Sequence, residues 1–221
     1  MARLGECLGA GGPVLAVCAH PDDESFGLGA ALSELAETRT VGLVCLTHGE
    51  ASTIGGEGRN LHEVRAGELS RAAAVLGVSR VALFDHPDGK LETVPVALLA
   101  DEVGRVAREV DPDLLLVFDD TGVTGHPDHR RATEAALAID GRLPVLAWVL
   151  PAAVARRLNR ELKTTFVGRH AHEVDLEVEV DRRRQLEAIA CHASQAQGNA
   201  VLWRRLELQG EHEAFRWLRP P

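Results

Sequence analysis

A chain of 221 residues, 45% hydrophobic and 26% charged, can bury one substantial core and has the balance of an ordinary globular protein. Its formal net charge of −9 disfavours a nucleic-acid partner, whose phosphates need clustered Lys and Arg. No apolar run approaches the ~20 residues that span a membrane, and the N-terminus lacks a signal peptide's basic start and long apolar core, so a cytoplasmic protein is expected.

Val14–Cys18 is an apolar run that reads as a buried strand. It leads into Ala19-His20-Pro21-Asp22-Asp23-Glu24, and residues 27–37 then read as a helix in which Gly27 and Gly29 allow close packing on a sheet. A second strand, 41–46, ends at Thr47-His48-Gly49-Glu50, and a glycine-rich loop follows at 52–59. The stretch 62–76 is an amphipathic helix with Gly77 as its C-cap signal. Strand three, 81–84, runs into the turn Asp85-His86-Pro87-Asp88-Gly89, and helix 94–110 stops at Asp111-Pro112. Leu114–Phe118 is strand four; a loop over 119–129 precedes a helix at 130–139 and strand five at 145–150. Beyond Pro151 come a helix (Ala152–Leu162), a half-exposed acid-apolar alternation at 173–180 that suits an edge or antiparallel strand, and a helix from Arg182 that ends near Gln195.

Alternating strands and helices imply a Rossmann-like α/β fold, doubly wound, with a mainly parallel sheet and helices on both faces. One domain spans 1–221, with a core at about 13–150 and a C-terminal elaboration at about 151–221. The charge is uneven: residues 1–150 carry 12 basic and 23 acidic side chains, and residues 151–221 carry 12 and 10. Arg182-Arg183-Arg184 is a solvated helix face or a set of ion pairs rather than a phosphate site. The four cysteines form no CxxC pair; Cys18 and Cys45 sit in apolar runs as small buried residues. With ten histidines available, any metal site here uses nitrogen and oxygen ligands.

Two clusters carry chemistry. His20 and Asp23 stand three apart in a strand-to-helix turn at the carboxyl edge of the sheet, where ligands bind in such folds, and Asp22 between them is free to act as a base. Thr124-Gly125-His126-Pro127-Asp128-His129 occupies the equivalent turn after strand four, and strands one and four commonly adjoin where the strand order reverses. Hydrolytic zinc sites use three protein ligands and leave a position for water. His20, Asp23 and one of His126 or His129 meet that need. The bland readings are that Asp22 or Asp23 is a helix N-cap and that His86-Pro87-Asp88 is only a turn.

These two motifs resemble the PIG-L/LmbE family of zinc-dependent N-deacetylases. The likeness extends to Arg65 and Glu68 in an Arg-x-x-Glu helix, to the Asp85–Gly89 turn as Asp-x-x-Asp-Gly, and to His192-Ala193-Ser194-Gln195 as a late His-x-Ser-Gln element. The resemblance implies that His20, Asp23 and His129 hold Zn2+, or another divalent ion such as Fe2+. It implies that Asp22 is the general base and that His126 stabilises the oxyanion. Asp128 either steadies a ligand imidazole or caps the helix, and Glu24 either complements the helix dipole or stands behind the ligands. Arg65 and Glu68 contact substrate or belong to an internal ion pair that ties their helix to the core; His192, Ser194 and Gln195 are candidates to line the pocket. His48 could reach the crevice, whereas His62 reads as a surface residue. Some members carry a Tyr near the second motif; this chain has no Tyr.

The expected function is removal of an N-acetyl group from a small-molecule N-acetylglucosamine conjugate, with no nucleic-acid or membrane partner and with a homo-oligomer admitted by the resemblance. An amidase for a larger sugar-linked amide is the nearest alternative. A sugar- or nucleotide-binding module without catalysis is the alternative of another class; against it, no Gly-x-Gly-x-x-Gly loop follows strand one.

Overall fold

The computed structural model of the chain describes residues 1–54, 60–139 and 141–221, so 55–59 of the expected glycine-rich loop lie outside the described residues. The strands are β1 (Val14–Cys18), β2 (Val41–Thr47), β3 (Arg80–His86), β4 (Leu114–Phe118), β5 (Val145–Val149), β6 (Leu176–Glu179) and β7 (His212–Arg219). The helices are α1 (Leu4–Leu8), α2 (Asp23–Phe26), α3 (Gly29–Leu35), α4 (Leu61–Leu76), α5 (Val96–Val110), α6 (Pro127–Ala138), α7 (Ala152–Leu162), α8 (Arg183–Cys191), α9 (Ala193–Ala196) and α10 (Ala200–Gln209). None of them is long and apolar enough to cross a membrane.

Alternation along β1 decides the layers, because successive strand residues point to opposite faces. Val14, Ala16 and Cys18 pack with Leu32 of α3, Leu69 of α4 and Ala188 of α8. Leu15 and Val17 pack with Leu99 and Val103 of α5 and Ala135 of α6. Both faces are covered, as unbroken apolar strands require. The sheet order is β3-β2-β1-β4-β5-β7-β6, parallel from β3 to β5, with β7 antiparallel to both β5 and β6. The fold is thus α/β and mainly parallel, and β1 adjoins β4 at the reversal of strand order. Cys18 and Cys45 are buried free thiols.

Four local departures matter for the site. The helix expected at 27–37 is the shorter α3, and a separate single turn, α2, precedes it with a break at Gly27 and Leu28. A Cβ on Gly27 would run into the Phe118 ring, so the break lets the helix start lie against β4. The helix expected at 130–139 begins earlier, at Pro127, with His126 as N-cap and proline at the position where its missing N–H costs nothing. The helix ending at Gln195 divides at His192 into α8 and α9. Finally, α10 and β7 follow where the motifs give no signal, and β7 inserts between β5 and β6.

Candidate active site

The turn after β1 is held in a conformation that side chains rarely adopt. Asp22 has φ 118°, a strained value for a residue with a Cβ, of a kind that costs on the order of 1–3 kcal/mol. Its backbone N–H donates to Glu24 Oε2 at 2.9 Å. Glu24 is fully buried, accepts from Ser25 Oγ at 2.6 Å and meets His192 Nε2 at 2.6 Å. Burial opposes ionisation of Glu24, but His192 and Ser25 outweigh it and hold the carboxyl below its ordinary range. Burial likewise disfavours imidazolium at His192, and the Glu24 charge overcomes it. A buried ion pair therefore fixes the backbone that presents Asp22.

Three donor atoms converge beside that turn. His20 Nδ1 lies 3.2 Å from His129 Nε2, and His129 Nε2 lies 3.1 Å from Asp23 Oδ1. Asp23 does not cap its helix: Oδ2 accepts instead from the N–H groups of Ala19 and His20, at 3.1 and 2.9 Å. The outer nitrogens of both rings are occupied. His20 Nε2 faces Asp128 Oδ2 at 3.3 Å and Asp88 Oδ1 at 3.1 Å, and His129 Nδ1 donates to the Gly122 carbonyl at 3.0 Å. Those partners place the ring protons outward, which leaves two imidazole lone pairs and a carboxylate oxygen aimed at one another. Such an arrangement is repulsive until a cation or a proton sits among them, and outward carboxylate and carbonyl partners are what orient metal-ligating histidines. Burial works against a charge on His20, yet Asp128, Asp23 and Asp88 raise its pKa well above the ordinary value. Burial also resists ionisation of Asp23, but His129 and His20 hold it well below the carboxylate range. The residues present fit a divalent metal ion.

Asp22 is the odd carboxylate. Burial lifts its pKa to about 6 even though Arg65 Nη2, at 2.9 Å from Oδ2, pulls the other way. His126 is the odd imidazole. Its Nδ1 accepts the N–H of Asp128 at 3.2 Å, so the neutral ring carries its proton on Nε2. Burial, then the His20 and His129 charges, push its pKa down and keep it neutral. Its ring centroid is 4.9 Å from that of His20.

A family model described as PIG-L, GlcNAc-PI de-N-acetylase, matches residues 15–139, more than half of the chain. The chain belongs to the PIG-L family. It is 30% identical over 211 residues to a probable N-acetyl-alpha-D-glucosaminyl L-malate deacetylase 2 of Bacillus anthracis, covering 93% of this chain and 91% of that protein. It is 33% identical over 156 residues to a 1D-myo-inositol 2-acetamido-2-deoxy-alpha-D-glucopyranoside deacetylase of Kineococcus radiotolerans, covering 56% of this chain and 43% of that one. Among solved structures, the 4-carboxy-2-hydroxymuconate hydratase GalB of Pseudomonas putida superposes with a TM-score of 0.68 at 19% identity, over 96% of this chain and 98% of that one. A likeness at that identity speaks for the fold alone, and a hydratase on this scaffold shows that fold does not choose the reaction.

In this PIG-L chain the remaining motif residues separate into those that line the cavity and those that brace its wall. The cavity is about 480 Å³, and Arg65 and Gln195 line it. Arg65 does not pair with Glu68. It reaches Asp22 and donates to the carbonyls of Pro21 and Gly49, and a Cβ on Gly49 would occupy the guanidinium's place. Glu68, His192 and Ser194 stand behind the wall: Glu68 accepts the Ser194 N–H at 2.9 Å and its hydroxyl at 2.6 Å, tying α4 to α9. Gln195 Oε1 accepts from Ser52 Oγ at 2.7 Å.

Asp128, fully buried, accepts the N–H groups of Gly89 and Leu91 at 2.7 and 3.0 Å as well as facing His20. That bond draws in the turn after β3. Its Asp88, which the sequence offers as a mere turn residue, faces His20 and lines the cavity. The Asp-x-x-Asp-Gly resemblance was the available signal for it. His48 turns away, stacking on His62 at 3.5 Å and meeting Asp85 at 2.9 Å. The rings are nearly parallel, at 7°, and the Nε2 atoms of both meet the same oxygen, Asp85 Oδ1, so these three residues form a separate, more exposed cluster. The far wall comes from residues with no motif: Phe118, Trp148, Asn199 and Arg205.

Proposed function

We propose that this protein is a zinc-dependent N-deacetylase that hydrolyses the acetamide of an N-acetylglucosamine conjugate. The observation that carries the reading is the adjacency of three converging candidate metal donors, a carboxylate with its pKa near 6, and a neutral imidazole that lines the cavity with its Nδ1 already accepting a backbone N–H. His20, Asp23 and His129 would hold the ion, which when bound acidifies water and polarises the amide carbonyl.

Asp22 is ionised at neutral pH, being above its pKa, and takes the proton from the attacking water. Arg65 keeps that carboxylate charged and oriented. As the carbonyl carbon becomes tetrahedral, His126 Nε2–H donates to the oxygen that gains negative charge, a contribution of roughly 2.7–4 kcal/mol at comparable sites. Asp22 then returns the proton to the leaving nitrogen; the C–N bond breaks, and acetate and a free amine result. Asp128 and Asp88 hold the His20 ring, and the Glu24–His192 pair holds the turn. The site supplies a base, an oxyanion donor and a metal set without a Tyr.

The relatives' names carry two kinds of aglycone, an acid and a polyol. We place the substrate among small glycosides of this sort. The test is an acetate-release assay over N-acetylglucosaminides with metal content measured in the same preparation. Acetate and free amine in a one-to-one ratio are expected. Release of a larger acid with no acetate would establish the amidase reading instead, and metal-loaded protein that releases neither would refute hydrolysis.

A further inference from the structure

The cavity has a second pole. Arg205, on α10, lines it while only 4% exposed. Its Nη1 donates to Gln209 Oε1 and its Nη2 to the Phe26 carbonyl, both neutral acceptors. The Trp148 indole covers it at 5.2 Å from the ring centroid.

Glu213, the acid whose charge reaches it, is engaged elsewhere. Glu213 Oε1 is taken by Arg182 Nη1 at 2.6 Å, and Glu213 Oε2 accepts from Trp148 Nε1 and Gln209 Nε2 at 2.6 and 2.8 Å. Two guanidiniums thus share one carboxylate, and Arg182 holds it. Among the described residues Arg205 has no carboxylate within ion-pair distance. Burial brings its pKa down to about 10, which still leaves it charged at neutral pH. A buried charge without a counterion is costly, and a fold retains one most readily where a ligand supplies the partner. The other pole is rich in carboxylates, so the cavity is polarised from end to end.

The wall between the poles is a continuous apolar face. Ring centroids step from His129 to Phe118 at 4.9 Å and from Phe118 to Trp148 at 5.1 Å, and the Arg205 guanidinium lies one step beyond. A sugar can lie along that face with its acetamide at the metal donors and its aglycone toward Arg205.

We propose that Arg205 is the anchor for an oxyanion, a carboxylate or a phosphate, carried on the aglycone of the substrate. The orientation rests on the deacetylase reading; the anion subsite itself rests on a buried guanidinium whose partners are neutral. The planar fork suits such oxyanions, and Lys would keep the charge without the two-point geometry.

The decisive comparison uses three N-acetylglucosaminides: the neutral methyl glycoside, its carboxymethyl counterpart, and the 1-phosphate. Wild-type protein should favour one of the two anionic compounds over the neutral one by about ten- to a hundredfold in kcat/KM, mostly through KM. Which anion leads identifies the source. In Arg205→Gln that ratio should fall to near one, and Arg205→Lys should restore part of it. Calorimetric binding of the corresponding deacetylated amines reads the subsite without turnover, and there too only the anionic compounds should weaken in Arg205→Gln. A wild-type ratio near one, or a ratio and binding unchanged in Arg205→Gln, overturns the proposal; the wild-type arm decides even if the variant does not fold. Anion binding that depends on Arg205 without acetate release from any compound would leave the subsite standing and refute the deacetylase reading.

Discussion

Replacing Arg65 by Met should move the acid limb of the pH–rate profile upward. Arg65 Nη2 stands 2.9 Å from Asp22 Oδ2, and the Arg65 side chain is almost wholly out of solvent. Two unit charges about 4 Å apart at an effective dielectric constant near 20 interact by about 4 kcal/mol, which is an upper bound of about three pH units. Water entering the space left by the guanidinium would screen part of this, so a shift of one to two units is the working expectation. The sign is fixed: losing the positive charge disfavours the carboxylate, raises its pKa from about 6, and delays the ionisation that a base requires. A bound metal ion pulls the wild-type limb in the same direction as Arg65, to or below that value. The assay is kcat/KM from pH 4.5 to 9.5 with metal content checked at each point. Arg65→Met should lose most activity near pH 6 and recover part of it by pH 8.5. Arg65→Lys, which keeps the charge, should lie close to wild type. A limb that stays in place in a metal-replete Arg65→Met protein would refute Asp22 as the titrating base.

Asp22→Asn should retain metal and lose about 10²- to 10⁴-fold in kcat. Because the native pKa lies above the value of 3.8 for an unperturbed Asp, ionised Asp22 opposes folding above pH 6; metal-free Asp22→Asn should therefore be more stable at pH 7–8, by up to about 3 kcal/mol, and no gain in Tm would count against the raised pKa. His129→Ala should abolish stoichiometric metal binding, and normal metal content in that variant would remove it from the ligand set. His192→Ala leaves Glu24 buried without its partner at 2.6 Å and should cost about 3–5 kcal/mol in denaturant unfolding, although the ring touches no substrate.

The sheet and the clustering of His20, Asp23 and His129 were legible because both obey short-range rules. Apolar runs of five or six residues mark strands buried on both faces, and the two His/Asp clusters sit in the connections that follow two of them. What the sequence concealed was partnership across long separations. Glu24 reads locally as first-turn charge, but its counterion is 168 residues away. Arg65 and Glu68 read as an i,i+3 pair on one helix face. In the fold they diverge, because Asp22 and the carbonyls of Pro21 and Gly49 offer Arg65 better partners than a neighbouring side chain can. Asp88 looked like turn chemistry because Pro and Asp form turns anyway; only the N–H groups of Gly89 and Leu91 on Asp128 bring that turn to His20. α10 and β7 escaped notice for a different reason. The run His212–Arg219 mixes buried Glu213 and Phe215 with Arg216 and Arg219, so its alternation does not register as a strand.

That last omission bears on how the two ends of the cavity are built. The candidate metal donors come from the turn after β1, the start of α2 and the first turn of α6, beside the central strands of the sheet, where donor positions must hold to within tenths of an ångström. Trp148 of β5 and Arg205 of α10 come from the side of the sheet where β7 has been inserted, and both depend on Glu213 of that strand. Trp148 donates to Glu213 directly, while Arg205 reaches it only through Gln209. Shortening Glu213 to Ala would therefore release Arg182, Trp148 and Gln209 together while leaving His20, Asp23 and His129 with all their partners. Metal stoichiometry should stay at wild type while KM rises for an anionic glycoside and kcat changes little. A loss of metal content that accompanies the rise in KM would mean that the two poles are one cooperative unit, and that the C-terminal strand supports the chemistry as well as the choice of substrate.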